Sequence, residues 1–257
     1  MNSEIYKKAY RLVNANLQIL QKSDMNSLIL LSRAGLGKTT LIMEALKNKN
    51  WNSGEHYLYF NSYFTPLAFY QALLETNELV SPQLLILDDV ELILKDKNII
   101  NLLKAATWQS GHKRLVCYST TSAKVKETRL DFTGKVILLL NEIPAKNPMF
   151  DAILDRSLFV NFDFNNQEIL ELMEKEIVPQ NYQNSFFGQR QKAFNYLKKL
   201  TTASSDLSFR TLIKTYNYLL YSPNNWQELT KNLLLTNDQK PEKRQLINRT
   251  QLAKGLF

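Results

Sequence analysis

Two spacings of apolar residues alternate along the chain, and the switch between them marks out its elements. Residues 3 to 22 place Ile5, Ala9, Leu12, Val13, Leu17 and Leu20 three or four apart, which predicts an amphipathic helix. Leu28 to Leu31 is a continuous apolar run, short enough for a buried strand, and a helical run follows from Leu41. Tyr57 to Asn61 is aromatic and alternating, as a strand requires. A loop at 62–65 leads into a predicted helix over Pro66 to Leu79. Leu84 to Leu87 is a second buried strand, and it ends in Asp88 and Asp89. A helix over 97–109 follows, with Ile99, Ile100, Leu102, Leu103 and Ala106 available for packing.

Beyond it, Arg114 to Ser119 and Leu130 to Gly134 predict two short strands flanking a polar, basic stretch, a β-hairpin with a basic tip. Cys117 falls in the apolar strand pattern and is expected in the core. Val136 to Leu140 is the third strongly apolar strand, and Asn141 ends it. Asp151 to Arg156 reads as a short helix and Leu158 to Phe164 as a last strand. From Asn166 only helices are predicted, over Glu168–Ile177, Gln189–Leu200, Ser208–Tyr221 and Trp226–Leu235. Strands alternating with helices indicate an α/β class with a parallel sheet. The expected organisation is a helix over 1–23, an α/β core over 24–165, a helical domain over 166–236 and a basic tail over 237–257.

Composition narrows the function. Apolar content of 44% is that of a globular protein. No apolar run approaches the roughly 18 residues of a membrane helix, and the first residues lack the apolar stretch of a signal peptide. One cysteine excludes an internal disulfide framework and a cysteine-rich zinc site. A soluble intracellular (cytoplasmic) protein with no membrane partner is expected. Two histidines in no ligand pattern argue against a metalloenzyme of the His type. The net charge of +8 is compatible with a nucleic-acid partner.

The strongest chemistry lies between the first strand and its helix. Ser32-Arg33-Ala34-Gly35-Leu36-Gly37-Lys38-Thr39-Thr40 fits the phosphate-binding pattern G-x-x-x-x-G-K-[ST] with Ser32 in the place of the first glycine. Backbone N–H groups of such a loop and the helix N-terminus point at phosphates. The Lys38 ammonium can reach the β and γ phosphates, and the Thr39 hydroxyl can ligate Mg²⁺. The chain has seven glycines, against roughly eighteen at average usage, and two of the seven fall in this loop. In parallel sheets ligands bind at the carboxyl ends of the strands. Asp88 is therefore placed to hold Mg²⁺, directly or through water, Asp89 to polarise an attacking water, and Glu91 is the other candidate base.

This order of parts resembles an AAA+ ATPase from about residue 24 to 222: the P-loop, the acidic strand end Asp88-Asp89, the strand-end amide Asn141, Arg156 in Ile-Leu-Asp-Arg-Ser, then a helical domain with Arg210 in Ser-Phe-Arg-Thr-Leu. The resemblance implies a P-loop core with a parallel sheet in an αβα sandwich, followed by a small α-helical lid. It assigns ATP and Mg²⁺ as cofactors, Asp88 as the Walker B metal residue and Asp89 as the water-activating acid, where the family usually has glutamate. It makes Asn141 sensor 1, Arg156 a finger acting on the neighbouring subunit's nucleotide, and Arg210 sensor 2 in the lid. A finger in trans implies a homo-oligomer, a ring or helix, six-membered by resemblance. A hairpin before the sensor 1 strand faces the pore in several AAA+ groups, so Lys124, Lys126 and Arg129 become candidates for nucleic-acid backbone contacts. The middle of the chain is also similar to poorly described AAA+ ATPases of bacterial viruses and plasmids.

The leading expectation is an ATP hydrolase acting on DNA in replication, as a helicase, helicase loader or related motor, with a replication helicase or other protein as a further partner. Two alternatives stand beside it. Tyr63 and Phe64 in the loop after the second strand keep a protein-remodelling ATPase open. The short Asp89 permits a nucleotide-dependent switch with slow hydrolysis.

Overall fold

The structure is a computed structural model, and it describes residues 3–61, 63–91, 93–108, 113–119, 127–144, 147–202 and 205–234. The chain divides into two compact units, Lys8–Asp163 and a second made of Phe164 onward with the residues before Lys8.

The first unit is built on five parallel strands, β1 (Ser27–Leu31), β2 (Tyr57–Phe60), β3 (Leu84–Asp88), β6 (Lys135–Leu140) and β7 (Leu158–Asn161), in the order β2-β3-β6-β1-β7. The three central strands β3, β6 and β1 are apolar at consecutive positions because both faces of the sheet are covered there, whereas the edge strands β2 and β7 are only partly buried. Ile29, Leu85, Leu87, Val136, Leu138 and Leu140 belong to one core with α3 (Pro66–Asn77), α4 (Lys97–Ala106) and α5 (Pro148–Leu154). The alternate residues Leu28, Leu30, Ile86, Ile137 and Leu139 are fully buried as well. The amphipathic helix α1 (Glu4–Lys22) is joined to α2 (Lys38–Asn48) by Asn48 Nδ2, which donates to Tyr10 Oη at 2.8 Å. The Lys135 ammonium closes the end of α1, donating to the carbonyls of Leu20, Ser23 and Met25 at 2.5, 2.7 and 2.9 Å.

The expected hairpin is present as an antiparallel pair, β4 (Arg114–Cys117) with β5 (Arg129–Phe132). Its tip, with Lys124 and Lys126, lies outside the described residues. The period of two decides which side chains it buries: Arg114 and Val116 are inside, Leu115 and Cys117 outside. Cys117 is thus exposed, not in the core. Arg114 can be the buried member because its guanidinium stacks on Phe132, 5.1 Å from the ring centroid, and donates to Asn26 Oδ1 at 2.6 Å and to the Gly134 carbonyl.

The helix α5 begins three residues before the expected Asp151. Asn147 caps it, accepting from the Phe150 N–H, and Pro148 supplies a first position that needs no N–H. It ends at Leu154, so Arg156 stands in the connection to β7 rather than on a helix.

The second unit is helical, as expected. α6 (Asn166–Leu172) starts from a capping box of Asn165 and Glu168 and runs into a π-helical turn at Met173–Ile177. α7 (Phe187–Leu200), α8 (Phe209–Tyr221) and α9 (Trp226–Leu233) bury Ala193, Phe194, Leu197, Leu212, Tyr216 and Trp226. The Ser3 N–H donates to Glu176 Oε1 at 2.5 Å within this unit. The basic tail from 237 lies outside the described residues.

Candidate functional site

The site forms where three adjacent strands end. The order β3-β6-β1 sets β6 between the other two, and the register pairs Leu139 with Asp88 and Leu140 with Leu31. The residues that follow or close these strands, Ser32, Asp88 and Asn141, are thereby brought to one edge although they are far apart in sequence.

Between β1 and α2 the chain turns through Gly35 at φ 77° and Gly37 at φ 87°. Both lie in the left-handed region, where a side chain is costly, so these two positions require glycine. Ser32 is not among the residues of positive φ, which explains why serine serves where the pattern has a first glycine. Ser32 is buried, its N–H donates to the Leu140 carbonyl at 3.2 Å, and its carbonyl accepts from Lys38 Nζ at 2.8 Å. Gly37 caps α2 without a side-chain acceptor, so the first N–H groups of the helix are available to an anion. Leu36 anchors the loop in the core, whereas Ala34 and Thr40 are exposed. Arg33 is exposed, and its Nε donates to Asp163 Oδ1 at 2.8 Å.

Lys38 is 6% exposed, and its ammonium also donates to Asn141 Oδ1 at 2.7 Å. The Asn141 amide in turn donates from Nδ2 to Asp89 Oδ1 at 2.7 Å, and its backbone N–H donates to Glu91 Oε1 at 2.6 Å. Lys38, Asn141 and Asp89 form one continuous chain of hydrogen bonds. Asp89 is exposed and takes φ 52°, a conformation that aspartate tolerates better than most residues.

Asp88 is buried, 4% exposed, and its Oδ2 accepts two hydroxyls, Thr39 Oγ1 at 2.5 Å and Tyr59 Oη at 2.8 Å. Burial first, and then the hydrogen bond and charge of Asp88, raise the Tyr59 hydroxyl above its ordinary range, so it remains a donor. Sequence reasoning did not single out Tyr59. Its only signal was a tyrosine on the strand next to the acidic one.

The residues present fit a magnesium nucleotide. Among the described residues there is no cluster of three or more His, Cys, Asp or Glu able to hold a metal. Mg²⁺ is usually held by one or two protein oxygens together with substrate phosphates. Thr39 and Asp88 would supply those oxygens, and Lys38 with the N-terminus of α2 would meet the phosphates.

Two other candidate residues of this unit stand apart from the site. Arg156 precedes β7, whose Leu158 is level with Leu28 near the start of β1. The P-loop starts after Leu31, about 10 Å further along at roughly 3.3 Å per residue. Arg156 lies at the opposite edge of the sheet, with its guanidinium 4.6 Å from the ring centroid of the exposed Trp108. Trp108 is a second neighbour that the sequence did not indicate. Arg129, in β5, is exposed and paired in register with Cys117. Arg210 belongs to the helical unit, where it is the second residue of α8 and exposed.

A five-stranded parallel sheet in this order, with a P-loop after β1 and helices following, is the fold of AAA+ ATPases. The chain is similar to AMPPCP-bound DnaA from Aquifex aeolicus, with a TM-score of 0.53 and 15% identity over 90% of this chain and 66% of that one. It is also 27% identical over 222 residues to an uncharacterized 36.7 kDa protein of phage T4, encoded in the nrdC-mobD intergenic region. That match covers 80% of this chain and 67% of the phage protein, so the chain spans about two thirds of the length of each relative. No family model matches the chain. Among the described residues no helix is long and apolar enough to cross a membrane.

Proposed function

We propose that the chain binds ATP with Mg²⁺ and hydrolyses it at the subunit interfaces of an oligomer that acts on DNA. The observation that carries this reading is the convergence of Lys38, Thr39, Asp88, Asp89 and Asn141, with hydrogen bonds of 2.5–2.7 Å among them, at one edge of the sheet. Lys38 and the α2 N-terminus bind the triphosphate. Asp88 and Thr39 hold the metal, which neutralises phosphate charge when bound. Asn141 orients the attacking water, and Asp89, to which it is bonded, accepts the water's proton.

Arg156 cannot serve its own P-loop from the far edge of the sheet, so it acts on a neighbour's nucleotide. A guanidinium supplied in this way is worth about 10³ to 10⁵ in rate. The oligomer is a ring or helix, with six subunits by analogy of fold. Arg210 takes part as the lid residue. DNA follows from the +8 charge and the basic hairpin, where Arg129, Lys124 and Lys126 meet phosphates without reading sequence. Replication, with a helicase or other protein as partner, is the setting this reading favours. A second reading, a slowly hydrolysing switch, is favoured by Asp89, one methylene shorter than glutamate and tied to Asn141.

The test is the steady-state ATPase rate with and without DNA, at low and moderate salt, for the parent and Arg156→Ala. Stimulation by DNA that weakens with salt and vanishes in the variant is expected. A rate indifferent to both DNA and Arg156 refutes the DNA-bound oligomer, and tight nucleotide binding with negligible turnover throughout favours the switch.

A further inference from the structure

Asp88 presents a problem that the P-loop alone does not solve. It is a carboxylate 4% exposed, and a buried anion needs donors to hold it. Thr39 supplies one, yet the oxygen of Thr39 is also the group that must turn its lone pairs to a cation. A hydroxyl can do both, donating its proton to Asp88 and accepting the cation on the oxygen, only if the carboxylate stays in place. The second donor comes from outside the motif. Tyr59 stands on β2, whose register sets it beside Ile86 of β3, and its hydroxyl reaches the same Oδ2 at 2.8 Å. Both donors occupy Oδ2. A tyrosine on a strand has two side-chain torsions and little freedom to follow a moving partner.

We propose that Tyr59 is a positioning residue for Mg²⁺: its hydroxyl fixes the Asp88 carboxylate so that this carboxylate and the Thr39 oxygen are preformed to receive the metal. The inference rests on the reading that this site binds ATP with Mg²⁺. Its consequence is specific. Loss of the hydroxyl leaves the phosphate cradle of Lys38 and the α2 N-terminus intact and weakens only the part of nucleotide affinity that the metal adds.

The experiment measures dissociation constants of a fluorescent ATP analogue in EDTA and in saturating Mg²⁺ for the parent, Tyr59→Phe and Thr39→Ala, with thermal melting alongside. The parent should bind more tightly with Mg²⁺. Tyr59→Phe should keep its affinity in EDTA within about twofold and lose about tenfold of the enhancement by Mg²⁺, the scale of one hydrogen bond to a charged group. Thr39→Ala marks the full loss of the metal contribution. An enhancement in Tyr59→Phe equal to that of the parent overturns the proposal and leaves the ATP reading standing, and so does a lowered melting temperature with the enhancement intact. A parent that binds no nucleotide in either condition overturns the ATP reading and this inference with it.

Discussion

Replacing Asn141 by alanine should make nucleotide bind more tightly and turn over more slowly. Lys38 Nζ carries three protons. Its short bonds go to the Ser32 carbonyl at 2.8 Å and Asn141 Oδ1 at 2.7 Å, with the Arg33 carbonyl at 3.5 Å. Reaching two phosphate oxygens requires giving up at least one of the short bonds, and Asn141, half-buried where Ser32 is buried, is the more accessible partner. A hydrogen bond to a charged group is worth about 1.5–3 kcal/mol. Part of that is recovered by water once the amide is gone, so a net relief of about 1 kcal/mol is expected, roughly a fivefold lower dissociation constant. On the proposed reading the same amide orients the attacking water, and its Nδ2 donates to Asp89 at 2.7 Å. Removing one preorganised donor of this kind typically costs about 10²–10³ in kcat. Equilibrium binding of a fluorescent ATP analogue and single-turnover hydrolysis separate the two effects. Weaker binding with an unchanged hydrolysis rate would refute both the competition for Lys38 and the catalytic role of the amide.

On the proposed reading Lys38→Ala should abolish nucleotide binding, because its buried ammonium would be the cation that meets the phosphates. If Arg156 acts in trans as proposed, Lys38→Ala and Arg156→Ala mixed in equal amounts should recover ATPase activity that neither shows alone, since each would supply what the other lacks; a mixture as inactive as its parts would exclude a finger in trans. Gly134→Ala should destabilise the first unit, since an added Cβ would sit 2.8 Å from the Phe132 ring and 2.9 Å from Thr76 Cγ2, both fully buried. Overpacking of this kind costs about 1–3 kcal/mol, or a fall of several degrees in melting temperature at roughly 2–4 °C per kcal/mol. An unchanged melting curve would show that the hairpin can move away from α3.

The P-loop was readable because its requirements are local. Positive φ at Gly35 and Gly37, a lysine that opens a helix and a strand ahead of the turn are all properties of consecutive residues. The buried strands were readable for a related reason, as a sheet covered on both faces needs unbroken apolar runs such as Leu84–Leu87 and Val136–Leu140. Where local pattern was ambiguous it misled. The apolar run around Cys117 suggested a core position, but in a two-stranded hairpin only alternate residues can face inward, and Arg114 and Val116 take those places. Likewise the helix near Asp151 begins earlier, where Asn147 and Pro148 provide a cap and a first turn.

Sequence by itself thus determined the chemistry available to this protein: a phosphate loop, a strand-end acid pair and an amide at the end of a third strand. Only the tertiary structure decided which of these groups touch. The crossover order that places β6 between β3 and β1 makes Asn141 the link between Lys38 and Asp89. The pairing of β2 with β3 brings the Tyr59 hydroxyl to Asp88. The parallel direction of β7 sends Arg156 to the opposite edge, onto Trp108. Contacts of this kind depend on strand order and register, which are set by how apolar faces pack over the whole sheet, and no short stretch of sequence encodes them.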